Sequence, residues 1–446
     1  MTPAGESVRL KLCLRLLTPV FIGSGEKLSR FEYVIEQSGS EQRILIADVN
    51  RMLEVAAHSP GGGLMERLES AALRGERLED VLQPQLRLGG GTAAGWLRQK
   101  RAVAEELQLD PAASQQLPSG PTPAQTPQGR GPQRGAQRRT QTEYQIQRHL
   151  RTPDGGYYIP GSELKGSLRV AVLYRLLCEG TAAEADQARS NLKGGLEAIE
   201  SQENTEEEDE EELTLERLAT RLDRQLLRLP GRDGDAKYDL FRFIHFSDTT
   251  VVEADRVAVL HAKVQPIGST REQQQGQQQS GGQGRERTDE IPLFIEALLP
   301  DVELECTLTV APPDSEPVQR WCGGNLPAHM REVLSVDWLL AAWRLKSRDL
   351  LQEEIRREGQ QRDPILRTLQ QSCQQGKVLL RVGGGQGLLS TTVDLYIKNK
   401  LRELYQNVVA AQLGRGRRRG GEFPSSRRVA HYDNRLWPLG WIEVVR

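Results

Sequence analysis

From Arg9 to Leu16 the chain alternates polar and apolar positions. Leu10, Leu12, Leu14 and Leu16 fall on one face, and Arg9, Lys11, Cys13 and Arg15 on the other. Successive strand side chains point to opposite faces, so this period of two predicts a half-buried strand, ended by Thr18-Pro19. The runs Phe31–Ile35 and Arg43–Ala47 flank Ser38-Gly39-Ser40 and predict a hairpin, after which Asp48 is placed to cap a helix that begins Val49-Asn50-Arg51-Met52-Leu53. Leu164, Leu168, Ala171, Val172 and Leu176 recur at helical spacing, so Gly161-Ser162-Glu163-Leu164 is expected to open a helix. Strand-like runs follow at 241–246, 257–264, 291–298 and 302–310, the last alternating Val302, Leu304, Cys306, Leu308 and Val310 against polar neighbours. Further on, 333–346 and the stretch around 365–369 read as helices, and 378–382 as a strand running into a glycine loop. A helix over 392–413 and a final strand over 440–445 complete the pattern. Mixed strands and helices with antiparallel hairpins give an α+β class.

Three stretches break this patterning. Aliphatic residues almost vanish across 108–142, Glu203–Glu212 is nearly all acidic, and 273–284 is rich in Gln and Gly. Such segments cannot bury enough apolar surface to offset their ordering entropy. Polar or disordered insertions are therefore expected near 108–142, 196–213 and 268–290. Composition agrees: of 446 residues 37% are hydrophobic and 27% charged, so a core cannot run through the whole length. Two or three domains fit this length.

A formal net charge of −2 gives no bulk attraction to nucleic acid, which makes local charge the informative feature. No apolar run approaches the ~18–20 residues that span a bilayer, and Met1–Ser7 does not open a signal peptide. Five scattered cysteines without CxxC spacing suggest free thiols in a reduced cytoplasm and no structural zinc site.

The candidate chemistry lies in loops. Gly23-Ser24-Gly25-Glu26-Lys27 could bring backbone N–H groups and a lysine to an anion, or be a plain turn; it lacks Walker A spacing. Gly383-Gly384-Gly385-Gln386-Gly387 has Leu388 where a dinucleotide fingerprint needs glycine, and by itself tight packing explains it better than a ligand does. Lys165 and Arg169 share one helical face behind Ser162, which suits a phosphate or simply water. Basic clusters occur at Arg130, Arg134, Arg138, Arg139, Arg148 and Arg151, and at Arg415, Arg417, Arg418, Arg419, Arg427, Arg428 and His431. Catalytic patterns are poor. His245, beside Ser247-Asp248, and His261 could meet on neighbouring strands, but packed or surface histidines are the simpler reading.

Taken together, Leu17–Leu28 (LTPVFIGSGEKL), Tyr158–Arg169 (YIPGSELKGSLR), Gly383–Gly387 and the closing Gly440-Trp441 with Arg427-Arg428 resemble the signatures of RAMP proteins in type III CRISPR effector complexes. Phe31–Ile35 behind the first loop most resembles the subunit of the type III-A (Csm) complex that caps the backbone at the guide RNA 3′ end. The resemblance covers about 8–55, 157–178, 240–250, 377–397 and 421–445. It implies two ferredoxin-like, RRM-related domains, placed at 1–312 and 313–446. It also implies guide RNA held through its backbone by Gly23, Ser24, Gly25, Lys27, Ser162, Lys165, Arg169, Gly383, Gly384, Gly385, Gly387, Arg427 and Arg428.

The partners implied are the CRISPR guide RNA, neighbouring Csm backbone subunits and a host nuclease that trims the guide 3′ end during crRNA maturation. No cofactor, metal or membrane is implied. The repeated backbone subunits of such complexes cut target RNA with an aspartate shortly after the first signature. Here Ser29–Val34 contains no aspartate and only Glu32 as a carboxylate, which argues for a non-catalytic subunit. Two rivals stay open: a RAMP-type endoribonuclease using His245, His261, Glu32 and Asp248, and a structural backbone subunit of another type III complex.

Overall fold

A computed structural model describes residues 6–29, 31–38, 41–47, 52–54, 57, 63–74, 78, 97–103, 145–202, 213–232, 234–267, 293–358, 363–414 and 423–445. Its strands are β1 (Val8–Leu16), β2 (Gly23–Leu28), β3 (Tyr33–Ser38), β4 (Glu41–Ala47), β5 (Leu97–Val103), β6 (Ile146–His149) and β7 (Ile244–Phe246). Then come β8 (Val257–Pro266), β9 (Leu293–Leu298), β10 (Glu303–Val310), β11 (Val378–Arg381), β12 (Ser426–Tyr432), β13 (Arg435–Pro438) and β14 (Trp441–Val445). The main helices are α1 (Gly63–Arg74), α2 (Gly161–Glu179), α3 (Ala183–Gln202), α4 (Leu215–Leu227), α5 (Glu316–Cys322), α6 (Ala328–Val333), α7 (Val336–Glu358) and α8 (Pro364–Gln374). None of the described helices is long and apolar enough to cross a membrane.

The first sheet runs β11-β14-β1-β10-β7, antiparallel throughout. Its register sets Leu12 beside Cys306 and Leu14 beside Leu304, so the apolar face predicted from alternation is continuous across strands. Helices α2 and α7 cover that face. Leu164, Leu168 and Val172 of α2 and Leu339, Trp343 and Leu350 of α7 join Leu12, Leu14 and Leu304 in one core. Each such side chain taken fully out of water contributes about 1.5–3 kcal/mol. The opposite face carries Arg9, Lys11, Arg15, Glu303, Glu305 and His245. Lys11 pairs with Glu305 and Arg15 with Glu303, each at 2.8 Å. These exposed pairs stabilise by at most about 1 kcal/mol each. No Phe, Tyr or Trp stands on the outward positions of β1, β7 or β10, so base stacking of the RRM kind has no platform there.

The second sheet follows β2-β6-β9-β8-β5-β4-β3, with the hairpin β12–β13 joined to β8. Its end strands, β2 and β3, are consecutive in the chain. Leu28 to Tyr33 spans at most about 18 Å of chain, whereas six flat inter-strand steps would span about 29 Å. The sheet must therefore curl. Leu28 and Tyr33, from opposite ends, meet in one inner cluster with Ile44, Ile46, Ile146, Val259 and Phe294. Phe21, Ala258, Leu260, Ala262, Ile295, Ala297, Ala430 and Leu439 pack on the other face. With both faces covered, Val257–Leu260 needs no alternation and reads as a solid apolar run.

Strands from both sides of 312/313 share the first sheet, where β11 and β14 lie beside β1 and β10. Several expectations are corrected. Only Ile244–Phe246 of 241–246 is strand. Leu240–Phe243 is a 3₁₀ turn, capped where the Asp239 carboxylate accepts from the Phe241 N–H at 2.8 Å. The helix expected over 333–346 breaks at Leu334-Ser335, and α7 then continues to Glu358. The helix expected over 392–413 breaks at Leu401, whose φ of −128° is not helical, and includes a π-helical turn at Tyr405–Ala410. Part of the 196–213 insertion is α3, with Leu196 and Ile199 buried. The rest, 203–212, lies outside the described residues, as do 108–142, 268–290 and the Asp48 cap.

Candidate nucleic-acid interface

The three segments singled out by sequence meet at one end of the first sheet. Leaving β1, the Leu17 N–H donates to the Trp441 carbonyl at 2.9 Å, and the Trp441 N–H returns a bond to the buried Thr18 hydroxyl at 2.9 Å. Gly440 N–H donates to Pro19 O at 2.9 Å and Gly384 N–H to Phe21 O at 2.7 Å. Gly383 N–H reaches the Glu163 carboxylate of α2 at 3.3 Å, so all three segments are joined. At the start of α2, Gly161 donates to Asp248 Oδ1 at 2.8 Å; a Cβ there would lie 2.4 Å from Phe246 O.

The glycines divide into two kinds. Gly383 has φ +78° and a Cβ on it would stand 2.3 Å from Phe21 O. Gly384 and Gly385 would likewise meet Phe21 and Leu439 side chains at 2.7 and 2.8 Å. For these three, tight packing is the reason for glycine. Gly25 and Gly387 also have positive φ, yet nothing lies within 4 Å of their Cβ positions, so their backbone is open to an approaching group. Arg381 steadies the second loop from below. It pairs with Glu354 of α7 at 2.5 Å and donates to Leu439 O at 2.8 Å and Gly385 O at 3.3 Å.

A residue that sequence reasoning missed joins the first two segments. His149 is fully buried. Its Nδ1 accepts from the Ile22 N–H at 3.2 Å, which places the proton on Nε2, 3.2 Å from Tyr158 O. Burial holds the imidazole neutral by lowering its pKa to about 4. A single histidine with no motif around it gave no local signal.

The cations sort by what already holds them. Arg148 and Arg151 lie 3.6 and 3.7 Å from Glu26, which leaves Lys27 exposed and without an ion pair among the described residues. Lys165 is half-buried, also without an ion pair among them, and burial lowers its pKa despite the nearby Asp239. Ser162 and Arg428 are exposed, and the Arg428 Cβ lies 3.4 Å from where a Cβ on Gly385 would stand. Arg169 is different: it forks between Asp223 (2.7 Å) and Asp239 (2.6 Å). Burial alone would lower its pKa, but these carboxylates raise it well above the ordinary arginine value. Arg427 is enclosed by Glu358 at 2.5 Å, Asp363 at 3.3 Å and Gln265 at 3.0 Å. Both arginines, expected to meet phosphate, hold carboxylates of the fold in this structure. Arg415–Arg419 lie outside the described residues.

The residues of the endoribonuclease reading are not brought together. His245 stands on the edge strand of the first sheet and His261 on β8 of the second. Asp248 tethers α2, and the Glu32 carboxylate accepts from Ser29 N–H and Oγ at 2.8 and 2.9 Å. Among the described residues no group of three His, Cys, Asp or Glu side chains is placed to hold a metal ion.

Comparison with known proteins adds independent findings. The sequence model of the RAMP superfamily matches residues 13–310. A chain in the cryo-EM structure of a Csm–crRNA–target RNA ternary complex of a type III-A CRISPR-Cas system superposes with a TM-score of 0.60 at 19% identity, covering 99% of this chain and 100% of that one. The crystal structure of T. onnurineus Csm5 gives a TM-score of 0.59 at 16% identity, covering 97% and 99%. No curated protein sequence matches. At these identities the structural likeness concerns the fold.

Proposed function

Because this chain belongs to the RAMP superfamily, we propose that it is a guide-RNA-binding subunit of a type III-A (Csm) CRISPR effector complex, working in the cytoplasm as the cap of the backbone at the guide 3′ end. The observation that carries the proposal is the junction of the three signature segments, with Lys27, Lys165 and Arg428 not neutralised around it. The chemistry is phosphate recognition: lysines act as point charges, and the open backbone at Gly25 and Gly387 admits close approach. Capping follows a simple rule. A head-to-tail filament ends at a subunit whose outer surface does not receive another copy. At that position the subunit would meet a neighbouring backbone subunit on one side and expose the guide 3′ end to a trimming nuclease on the other. In this reading the chain cuts nothing, and Glu32 and Asp248 serve turn and helix geometry.

The test is binding of single-stranded RNA by wild-type protein and by the Lys27→Glu, Lys165→Glu double variant across a salt series. The variant is expected to bind at least tenfold more weakly, with a shallower salt dependence, by about 0.7 per lost phosphate contact. Unchanged affinity and slope would remove these lysines from the interface. Co-purification assigns the complex: guide RNAs and Csm subunits are expected with the wild type, and capture with a different type III backbone would favour that rival.

A further inference from the structure

A second cluster of cations and rings lies outside the signature loops. It is built on the 3₁₀ turns Ala236–Tyr238 and Leu240–Phe243, each capped by the preceding aspartate. The Arg232 guanidinium lies 4.8 Å from the Tyr238 ring centre and donates to the Tyr238 hydroxyl. Lys237 Nζ is 5.1 Å from the same ring. The Lys237 carbonyl accepts from Trp321 Nε1 of α5 at 2.9 Å and from Arg242 Nη1 at 2.7 Å, which fixes an indole and a guanidinium beside one another. Phe243 supports the indole edge-on at 5.1 Å. Arg232, Lys237 and Arg242 are exposed, while Tyr238 and Trp321 are half-buried.

The charge is not cancelled locally. Asp235 pairs with Lys237 at 2.7 Å, and Asp239 turns inward to Arg169 at 2.6 Å. Arg232 and Arg242 have no ion pair among the described residues. The cluster is also continuous with the signature helix. Asp239, between the two turns, clamps α2 at Arg169, and its field reaches Lys165 one turn nearer the helix start. From Gly161 to Arg169 is about 12 Å of helix, so a single strand leaving the loop junction along α2 arrives at Arg242 and Trp321.

We infer that this cluster is a second RNA contact, taking an unstacked base against the Trp321 and Tyr238 rings with Arg232 and Arg242 on the flanking phosphates. Rings interleaved with arginines suit single-stranded nucleic acid, because every base presents a π face and every linkage a charge. The outward positions of β1, β7 and β10 offer no such ring, whereas this cluster, joined to α2 on the helix-covered side, presents two. The inference rests on the guide-RNA reading and extends it from backbone recognition to base contact. An acidic protein partner is the competing occupant.

Two measurements on the full chain decide it. With RNA carrying 4-thiouridine, photocrosslinks on the wild-type protein are expected in 236–243 or 316–322; adducts confined to other segments would overturn the inference. This needs no substitution and is immune to folding defects. The Arg232→Glu, Arg242→Glu double variant is expected to bind single-stranded RNA of about 20 nucleotides at least tenfold more weakly, with a salt slope shallower by about 1.4. Wild-type affinity in this variant, alongside weakened binding in the Lys27/Lys165 variant, would refute the second contact while sparing the first. Unchanged RNA binding with lost subunit co-purification would assign the cluster to a protein. Absence of RNA binding by the wild type would sink both readings.

Discussion

The two glycine loops look alike on paper and differ in three dimensions. In the loop after β11, Gly383, Gly384 and Gly385 have neighbours within 2.8 Å of any added Cβ. The first glycine segment is instead strand β2 with a bulge between Gly23 and Lys27, and there Gly25 has none within 4 Å. One segment is glycine-rich because another backbone lies against it; the other presents free backbone beside Lys27. Glycine density alone therefore says nothing of ligand access. Gly387, open like Gly25, shows that the two uses coexist within five residues.

The largest effect should come from closing that difference. Gly383→Ala puts a methyl 2.3 Å from Phe21 O at a positive φ, and should cost roughly 3 kcal/mol from overpacking and backbone strain together. Gly25→Ala meets only the φ penalty, about 1 kcal/mol. Urea unfolding of the two variants is expected to separate them clearly. Equal losses would mean that Gly383 is not pressed against the first loop.

Next in size is the histidine that joins the first loop to Tyr158. The native pKa of His149, about 4, lies below its ordinary 6.5, so the unfolded chain takes up the proton first. The contribution is complete above about pH 6.5, falls as pH drops, and is gone below about 4. That gap corresponds to about 3 kcal/mol. His329, also buried with a pKa lowered by desolvation, titrates in either protein and cancels in a difference. The stability difference between wild type and His149→Gln should therefore shrink by about 3 kcal/mol from pH 7 to pH 4. Parallel pH profiles would show that the imidazole is not held neutral.

What could be read from the sequence was local. The alternation of Arg9–Leu16 specified a strand and its buried face, because the period is visible within eight residues. The meeting of the signature segments was legible only through family resemblance. The partners of Arg169 were not legible at all: Asp223 and Asp239 lie 54 and 70 residues away. The same holds for His149, whose contacts to Ile22 and Tyr158 depend on β6 lying beside β2. At 241–246 the alternating apolar residues pointed to a strand, but a carboxylate cap at Asp239 turned the first half into a 3₁₀ turn. The antiparallel pairing of the last strand, β14, against the first likewise had no local signal.

The last comparison sits on one helix. Lys165 and Arg169 share a face, four residues apart, and sequence treats them as equals. In the fold, Arg169 holds two carboxylates from different segments, whereas Lys165 has no ion pair among the described residues. Lysine cannot reproduce a planar fork, so Arg169→Lys should lose about 2 kcal/mol of stability, since it leaves Asp223 and Asp239 imperfectly paired. Lys165→Ala should change stability by no more than about 0.5 kcal/mol and is gauged instead by weaker, less salt-dependent RNA binding. Measured side by side, the two substitutions should move opposite readouts: the melting midpoint for Arg169, the RNA affinity for Lys165. If Arg169→Lys left the midpoint unchanged and cost RNA affinity instead, the clamp would be a phosphate site after all and the division between structural and binding cations would fall.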